Sequence, residues 1–293
     1  MLQQPFREHL QERFSEILSS PLSILALEPI QGGDINQSFL VKTSEGDYFL
    51  KTNADSFGKD MLEKEAKGLL LIAKADCMRV PQPIFYGEFR HRIYLVMEFL
   101  IRGARKDDFW EDFGMALAEL HGQSSNSFGL EYDNYIGSMP QSNHFHSNWS
   151  DFFAEERILN PVRKAVSLGL LQAAHVSAAE NICRKLNNIF PAGRPSLLHG
   201  DLWAGNFLAG ADGHAFIFDP AVYYGHREMD IAMSMLFGGF ESGFYKAYHH
   251  HFPLDPGYAE RIALCQLYPL LVHLLLFGKH YYSRVKDILD KFQ

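Results

Sequence analysis

The chain has 293 residues, with 27 Lys+Arg against 35 Asp+Glu for a formal net charge of −8; 47% of it is hydrophobic and 21% charged. That profile excludes intrinsic disorder and a small disulfide scaffold, and it lacks the basic excess that makes nucleic acid a default partner. At about 100–200 residues per domain, the length predicts two domains or one unit with two lobes. A phosphate-bearing ligand then has to be held by a few local groups or by a metal ion.

The three cysteines, Cys77, Cys183 and Cys265, are odd in number and widely spaced, so neither a disulfide framework nor a cysteine zinc site is expected. The opening MLQQPFREHLQERF has no apolar run of the secretory kind. Ile262 to Phe277 is the most apolar stretch, but Gln266, Tyr268, Pro269 and His273 interrupt it. It falls short of the roughly 18–20 apolar residues of a spanning helix and reads as a buried core helix. The expectation is no membrane partner and a cytoplasmic, reducing location.

In chain order, Phe6, Leu10, Phe14, Ile17 and Leu18 recur at helical spacing. Ser23 to Ile30, Ser38 to Thr43 and Tyr48 to Thr52 read as short strands, the last two joined by a turn at Ser44 to Asp47. Lys51 then lies on a strand. Lys59 to Ala73 is helical by its apolar spacing and carries Glu65. Strands are predicted at Ile84 to Gly87 and Ile93 to Phe99, after the breaker Pro81-Gln82-Pro83. Beyond Leu100 the pattern turns helical. Asp107 or Asp108 can cap a helix through His121, and further helices are predicted over Trp149 to Val166, Leu171 to Phe190, Arg227 to Phe237 and Tyr258 to Phe277. A polar loop spans Ser124 to Asn148, Ala192 to Asn206 is irregular, and His214 to Asp219 is a short strand. The reading is α+β, a β-rich lobe over 1–102 and a mainly helical lobe over 103–293, with a ligand cleft between them.

The strongest chemical signal is His199-Gly200-Asp201-x4-Asn206, followed by Asp219 at the end of an apolar run, 18 residues past Asp201. A carboxylate on a rigid loop can take the proton of an attacking hydroxyl, and Asn206 with Asp219 can hold Mg2+ on the phosphates of a nucleotide. Asp and Asn are also common turn and cap residues; their order relative to Lys51 and Glu65 favours phosphoryl transfer. Lys51 can direct its ammonium at the phosphates with Glu65 as partner. Gly32 and Gly33 open a turn between two strands that can lay backbone N–H groups over phosphates, although it matches neither G-x-G-x-x-G nor the Walker A spacing. The exit strand Met97, Glu98 and Phe99 offers backbone groups for an adenine edge. His249, His250 and His251 point in different directions on a helix and read as a solvated face. Asp230 is expected to brace the catalytic loop through backbone hydrogen bonds.

HGDLWAGN (199–206) and DPAVYYGHREMDIAM (219–233) closely resemble the fructosamine (ketosamine) kinase family within the protein-kinase-like and aminoglycoside phosphotransferase-like superfamily. GGDINQSF, Lys51, Glu65, LVMEFL and FGLEYDNYIGSMPQ followed by WSDFFAEERI carry the resemblance over nearly the whole chain. It implies a two-lobed protein-kinase-like fold and ATP-dependent phosphorylation of a sugar hydroxyl on a ketosamine. Under it Asp201 is the base, Asn206 and Asp219 are Mg2+ ligands, and Lys51 contacts phosphate beside Glu65. Some relatives have a Cys where this chain has Asp34, which removes a thiol switch there. Gly200, where protein kinases carry Arg, argues against control by a phosphorylated loop. Trp203, Tyr223, Tyr224, His226, Arg227 and Glu228 are expected to line the substrate side of the cleft. HGD with a later Asp is shared with choline and aminoglycoside kinases, so those acceptors, and a non-catalytic nucleotide-binding protein, remain alternatives.

Overall fold

The computed structural model describes residues 4–31, 36–54 and 60–293. Helix α1 (Gln4–Leu18) buries Phe6, Leu10 and Phe14, the stripe predicted from their spacing. It covers one face of an antiparallel sheet of β1 (Ile24–Ile30), β2 (Gln37–Thr43), β3 (Gly46–Asn53), β4 (Pro83–Phe89) and β5 (Arg92–Glu98), in the order β1-β2-β3-β5-β4. The β2–β3 turn is tighter than the sequence suggests. Thr43 pairs with Gly46, so only Ser44 and Glu45 form the loop, and the Thr43 hydroxyl accepts from Glu45 N (3.1 Å) and donates to Gly46 O (2.7 Å).

Strand β5 shows how one sheet serves two cores. Tyr94 and Val96 point toward α1, whereas Ile93, Leu95 and Met97 join the larger core beneath. That alternation is the period of two inherent to a strand. Helix α2 (Met61–Lys74) packs on this second face through Leu62, Ala66, Leu69 and Ile72. Lys51 faces the same way from β3, between Ser38 and Leu95 on the neighbouring strands.

After β5 the chain becomes helical. Helix α3 (Phe109–Gly122) follows Asp108, whose side chain makes no capping bond. The loop from Ser124 contains a hairpin the sequence does not announce, β6 (Asn134–Ile136) with β7 (Met139–Gln141). The predicted Trp149 to Val166 helix is one run in three geometries: α4 (Trp149–Phe152), a π-helical segment Phe153–Leu159, and α5 (Asn160–Ser167). The predicted Leu171 to Phe190 helix is broken into α6 (Ala173–Cys183) and α7 (Leu186–Ile189), because Lys185 N tightens onto Ile182 O (2.9 Å). Inside the stretch read as irregular lies β8 (Ser196–Leu198), and β9 (Phe207–Ala209) pairs with β10 (Ala215–Ile217). β8 pairs antiparallel with β11 (Tyr223–Gly225). Three-residue strands are too short for alternation to register in sequence; their partners create them.

The remaining helices are α8 (Glu228–Leu236), α9 (Ser242–His251), α10 (Tyr258–Cys265), α11 (Leu267–Phe277) and α12 (Tyr282–Phe292). Together α10 and α11 are long and apolar enough to cross a membrane by length and composition. Here Leu264, Leu267, Leu270, Leu271 and Leu274 are fully buried in the larger core, and Gln266 Nε2 donates to Ala232 O (3.0 Å). Helix α12 buries only Val285 and Leu289, too few apolar positions to announce it in the sequence. His249 to His251 are exposed on α9, as a solvated face requires.

Candidate active site

The cleft is assembled from four pieces of chain. Lys51 Nζ, buried on β3, donates to Glu65 Oε1 of α2 at 2.8 Å and also contacts Asp219 Oδ1. Burial works against the ammonium, but Asp219 and Glu65 outweigh it and hold Lys51 above its ordinary pKa. Burial lifts Glu65, against the pull of Lys51. Helix α2 reaches this position because Gly68 lets it approach the segment after Asp219: a Cβ there would stand 3.2 Å from Val222 Cγ2 and 3.3 Å from Pro220 Cγ. Its start is held by Tyr135, whose hydroxyl donates to Asp60 Oδ1 (2.7 Å).

The third piece is the loop after β8. Asn206 Nδ2 donates to Asp201 O (2.9 Å) and to Asp201 Oδ2 (3.1 Å), which fixes the carboxylate in place. With its NH2 group committed to Asp201, the Asn206 amide presents its oxygen elsewhere. That oxygen and the Asp219 carboxylate are both hard oxygen donors, the ligand type that Mg2+ takes. Burial first, then the charges of Asp219 and Asp230, push the Asp201 carboxyl up to about 7 despite the Asn206 bond.

Asp230 braces the loop in the expected way, accepting from His199 N (2.7 Å) and Gly200 N (2.9 Å). It is in turn contacted by His121 Nε2 (3.2 Å), whose Nδ1 meets the Tyr248 hydroxyl at 2.8 Å. His199 ties the two acidic loops together. Its Nδ1 accepts from Asp201 N (3.2 Å), so its Nε2–H donates to Phe218 O (3.0 Å), and burial holds the ring neutral. Ala221 N returns a bond to His199 O (2.8 Å). Asp219 itself has φ 57°, a left-handed conformation that Asp tolerates better than most residues. Gly200 (φ +83°) is needed because a Cβ would sit 2.1 Å from Ala221 O. Gly200→Ala is therefore expected to displace the loop that bears Asp201 and lower kcat by about 10- to 100-fold, as misplacements near 1 Å do. Steady-state kinetics beside a melting curve would check this, and unchanged kcat would show that the loop absorbs the methyl.

Behind the Asp219 loop lies a polar cluster that sequence reasoning missed. Gln141 Nε2 donates to Ala221 O (3.0 Å), Asn134 Nδ2 to Val222 O (2.8 Å), and the Tyr268 hydroxyl to Gln141 Oε1 (2.8 Å). The only sequence signal was the unusual density of amide side chains in a loop.

Three of the expected substrate residues turn away from the cleft. Tyr223 is buried, stacked on Phe152 (5.5 Å) beneath the Arg157 guanidinium (4.2 Å). His226 is buried against Trp149 and Phe190, and burial and the charges of Arg227, Arg261 and His121 push it down to about 3. Glu228 is bound by Arg261 through Nε–Oε2 (2.8 Å) and NH2–Oε1 (2.6 Å). Each of these is packed against partners in the core. Arg227 is also engaged, donating to Phe252 O (2.7 Å). Tyr224 is half-buried, with its backbone paired to Gly129.

Trp203 does lie at the surface, 37% exposed, edge-on to Phe237 and covering Gly205. Beside it a cavity of about 300 Å³ is lined by Arg102, Gly103, Arg105, Gly205, Leu208 and Ala209 among others. Met97 is buried, Glu98 exposed and Phe99 half-buried; Glu98 N donates to Gln82 O (2.9 Å). Gly32, Gly33 and Asp34 lie outside the described residues.

A model of the fructosamine kinase family matches residues 6–293. A "Probable ketoamine kinase" of Enterococcus faecium is 39% identical over 269 residues, covering 90% of this chain and 94% of its own. The chloroplastic protein-ribulosamine 3-kinase of Arabidopsis thaliana is 37% identical, over 92% of this chain and 83% of its own. A solved structure assigned as a fructosamine-3-kinase of Thermobifida fusca superposes with TM-score 0.86 at 32% identity, covering 96% of this chain and 97% of that one. An aminoglycoside phosphotransferase in ternary complex with AMP-PNP and hygromycin B shares the fold, with TM-score 0.61 at 15% identity over 98% of both chains. With the family match running from residue 6 to the last residue, and relatives more than a third identical over nine-tenths of the length, the chain belongs to the fructosamine kinase family.

Proposed function

We propose that this protein is an ATP-dependent kinase that phosphorylates a sugar hydroxyl of a ketosamine, with Asp201 as general base. The observation that carries the reading is the Asp201–Asn206 contact on a loop stitched by His199 to the segment bearing Asp219. Asp201 accepts the proton of the attacking hydroxyl, and its raised pKa suits a group that must take a proton and later release it. Lys51, kept cationic by Glu65 and Asp219, is positioned to exchange its contact with Asp219 for phosphate oxygens. Asn206 Oδ1 and Asp219 would hold Mg2+, which when bound neutralises charge on the transferring phosphoryl group. The exit strand from Met97 to Phe99 would read the adenine edge. The Glu98 N–H is already given to Gln82, so the recognition falls to the Glu98 carbonyl and the backbone that follows. Trp203 would offer its exposed ring to the sugar, with Tyr224 as a further candidate.

The test is ADP release with Mg2+ across ribulosamines, fructosamines, aminoglycosides and choline, repeated with excess EDTA. Turnover of ketosamines at least tenfold above the other acceptors, abolished by chelation, is the expected result. ATP binding with no turnover on any acceptor would instead favour a non-catalytic nucleotide-binding protein.

A further inference from the structure

A second group of metal-ligating side chains converges away from the residues just described, where the loop before α4 meets the π-helical segment. His146 Nε2 is 3.2 Å from Glu156 Oε1 and 4.0 Å from Glu155 Oε2. His144 Nδ1 is 3.5 Å from the same Glu156 oxygen and 3.1 Å from Ser142 Oγ. The ligand atoms of His146, Glu155 and Glu156 all lie within 4.8 Å of one another.

A plain His–Glu ion pair accounts for one of these contacts and leaves another fact standing. Glu156 is only 6% exposed, and its Oε2 is buried with no hydrogen-bond partner among the described residues. A buried carboxylate oxygen without a partner is costly, and a cation chelated by both oxygens of Glu156 removes that cost, whereas one held only by Oε1, the oxygen that faces His144 and His146, does not. The neighbouring Arg157 lends its charge to Glu156, as His144 does, but gives no hydrogen bond to Oε2, and its own buried Nε is likewise without a partner among the described residues. Its NH1 and NH2 donate to Ser142 O and Asn143 Oδ1, and its plane lies over Phe152, Tyr223 and Tyr268.

The spacing fits a particular ion class. Zinc with ligand bonds of about 2.0–2.1 Å has tetrahedral edges of about 3.3 Å. His146 and Glu156 already stand at that separation. Glu155, with a side chain 64% exposed, has room to close the remaining 0.7 Å, the difference between 4.0 and 3.3. Imidazole nitrogens mixed with carboxylates favour zinc over Mg2+, which prefers an all-oxygen shell. π-Helical turns are uncommon and recur at functional sites, and this one carries both glutamates.

We propose that His146, Glu155 and Glu156, with His144 as fourth ligand, form a structural zinc-class cation site that pins the 142–148 loop to the helix. The test uses the full chain, freed of metal with EDTA, in an Asp201→Asn/Asp219→Asn background so that the cleft carboxylates do not compete. Titration calorimetry with Zn2+ should give one ion per chain. His146→Ala, Glu156→Gln and the exposed Glu155→Gln should each weaken binding at least tenfold. Zn2+ should raise Tm in the background protein and not in His146→Ala. Co2+ should give the intense visible bands of a tetrahedral site, lost with the same variants. Unchanged affinity in all three variants, or no stoichiometric binding in the background protein, would overturn the proposal. Glu155→Gln keeps the test sound if a buried substitution unfolds the chain, because that side chain is largely solvated.

Discussion

Asp201→Asn is expected to lower kcat for a ketosamine acceptor by about 10²–10⁴, the usual contribution of a general base. Its Kd for ATP should change little, because the variant removes neither Lys51 nor the Asn206 amide. The substitution is close to isosteric, and the brace on the loop comes from Asp230 to His199 N and Gly200 N, not from the Asp201 side chain. Tm should therefore stay within a few degrees. The pH profile gives an independent readout. Asp201 has to be ionised to accept a proton, so activity falls as pH drops through its pKa. Burial and the Asp219 charge push that pKa up to about 7, and a cation beside Asp219 moves it down by offsetting the carboxylate charge that helped raise it. The acid limb should vanish in Asp201→Asn. Full turnover in the variant would remove Asp201 from the role of base.

Arg261→Ala is expected to have the largest effect on stability. Arg261 binds both oxygens of Glu228, and the two side chains are 7% and 0% exposed. Removing the guanidinium leaves a carboxylate in the interior without its partner, a change that typically costs about 3–5 kcal/mol. Burial already lifts the Glu228 pKa against the pull of Arg261, so loss of Arg261 drives that group toward its neutral form. For a chain of this size the cost corresponds to a fall in Tm of about 10 °C. The double variant Arg261→Met/Glu228→Leu should recover most of the loss, since removing both charges removes the desolvation problem. Thermal melts of the two variants decide it, and a Tm within about 2 °C of the parent for Arg261→Ala would show that water reaches the pair.

The same pair shows why part of the site was illegible in sequence. Tyr223, His226 and Glu228 follow Asp219 closely enough to suggest the cleft, but proximity along a chain does not determine which way a side chain points. Glu228 finds Arg261 from α10, 33 residues away, and Tyr223 finds Arg157 from the π-helical segment. Likewise, the amide cluster of Asn134 and Gln141 acquires its purpose only when β6 and β7 are laid against the carbonyls of Ala221 and Val222. Lys51 and Glu65, in contrast, were legible because each sits on an element whose period decides its face. A residue on a half-buried strand and another on an amphipathic helix packed against it have few places to go.

The sequence by itself determined the two-part architecture, the sheet with its two covering helices, and the identity and order of Lys51, Glu65, Asp201, Asn206 and Asp219. Hydrophobic periodicity and short-range motif spacing are local properties of the chain, and these features follow from them. Only the tertiary structure decided which polar residues serve the cleft and which serve the core. It made His199 the tie between the two acidic loops, broke the predicted 171–190 helix, and buried three candidates while leaving Trp203 at the surface. Those outcomes depend on partners tens or hundreds of residues apart, and a buried charge or hydrogen-bonding group takes whichever partner the packed fold brings within reach.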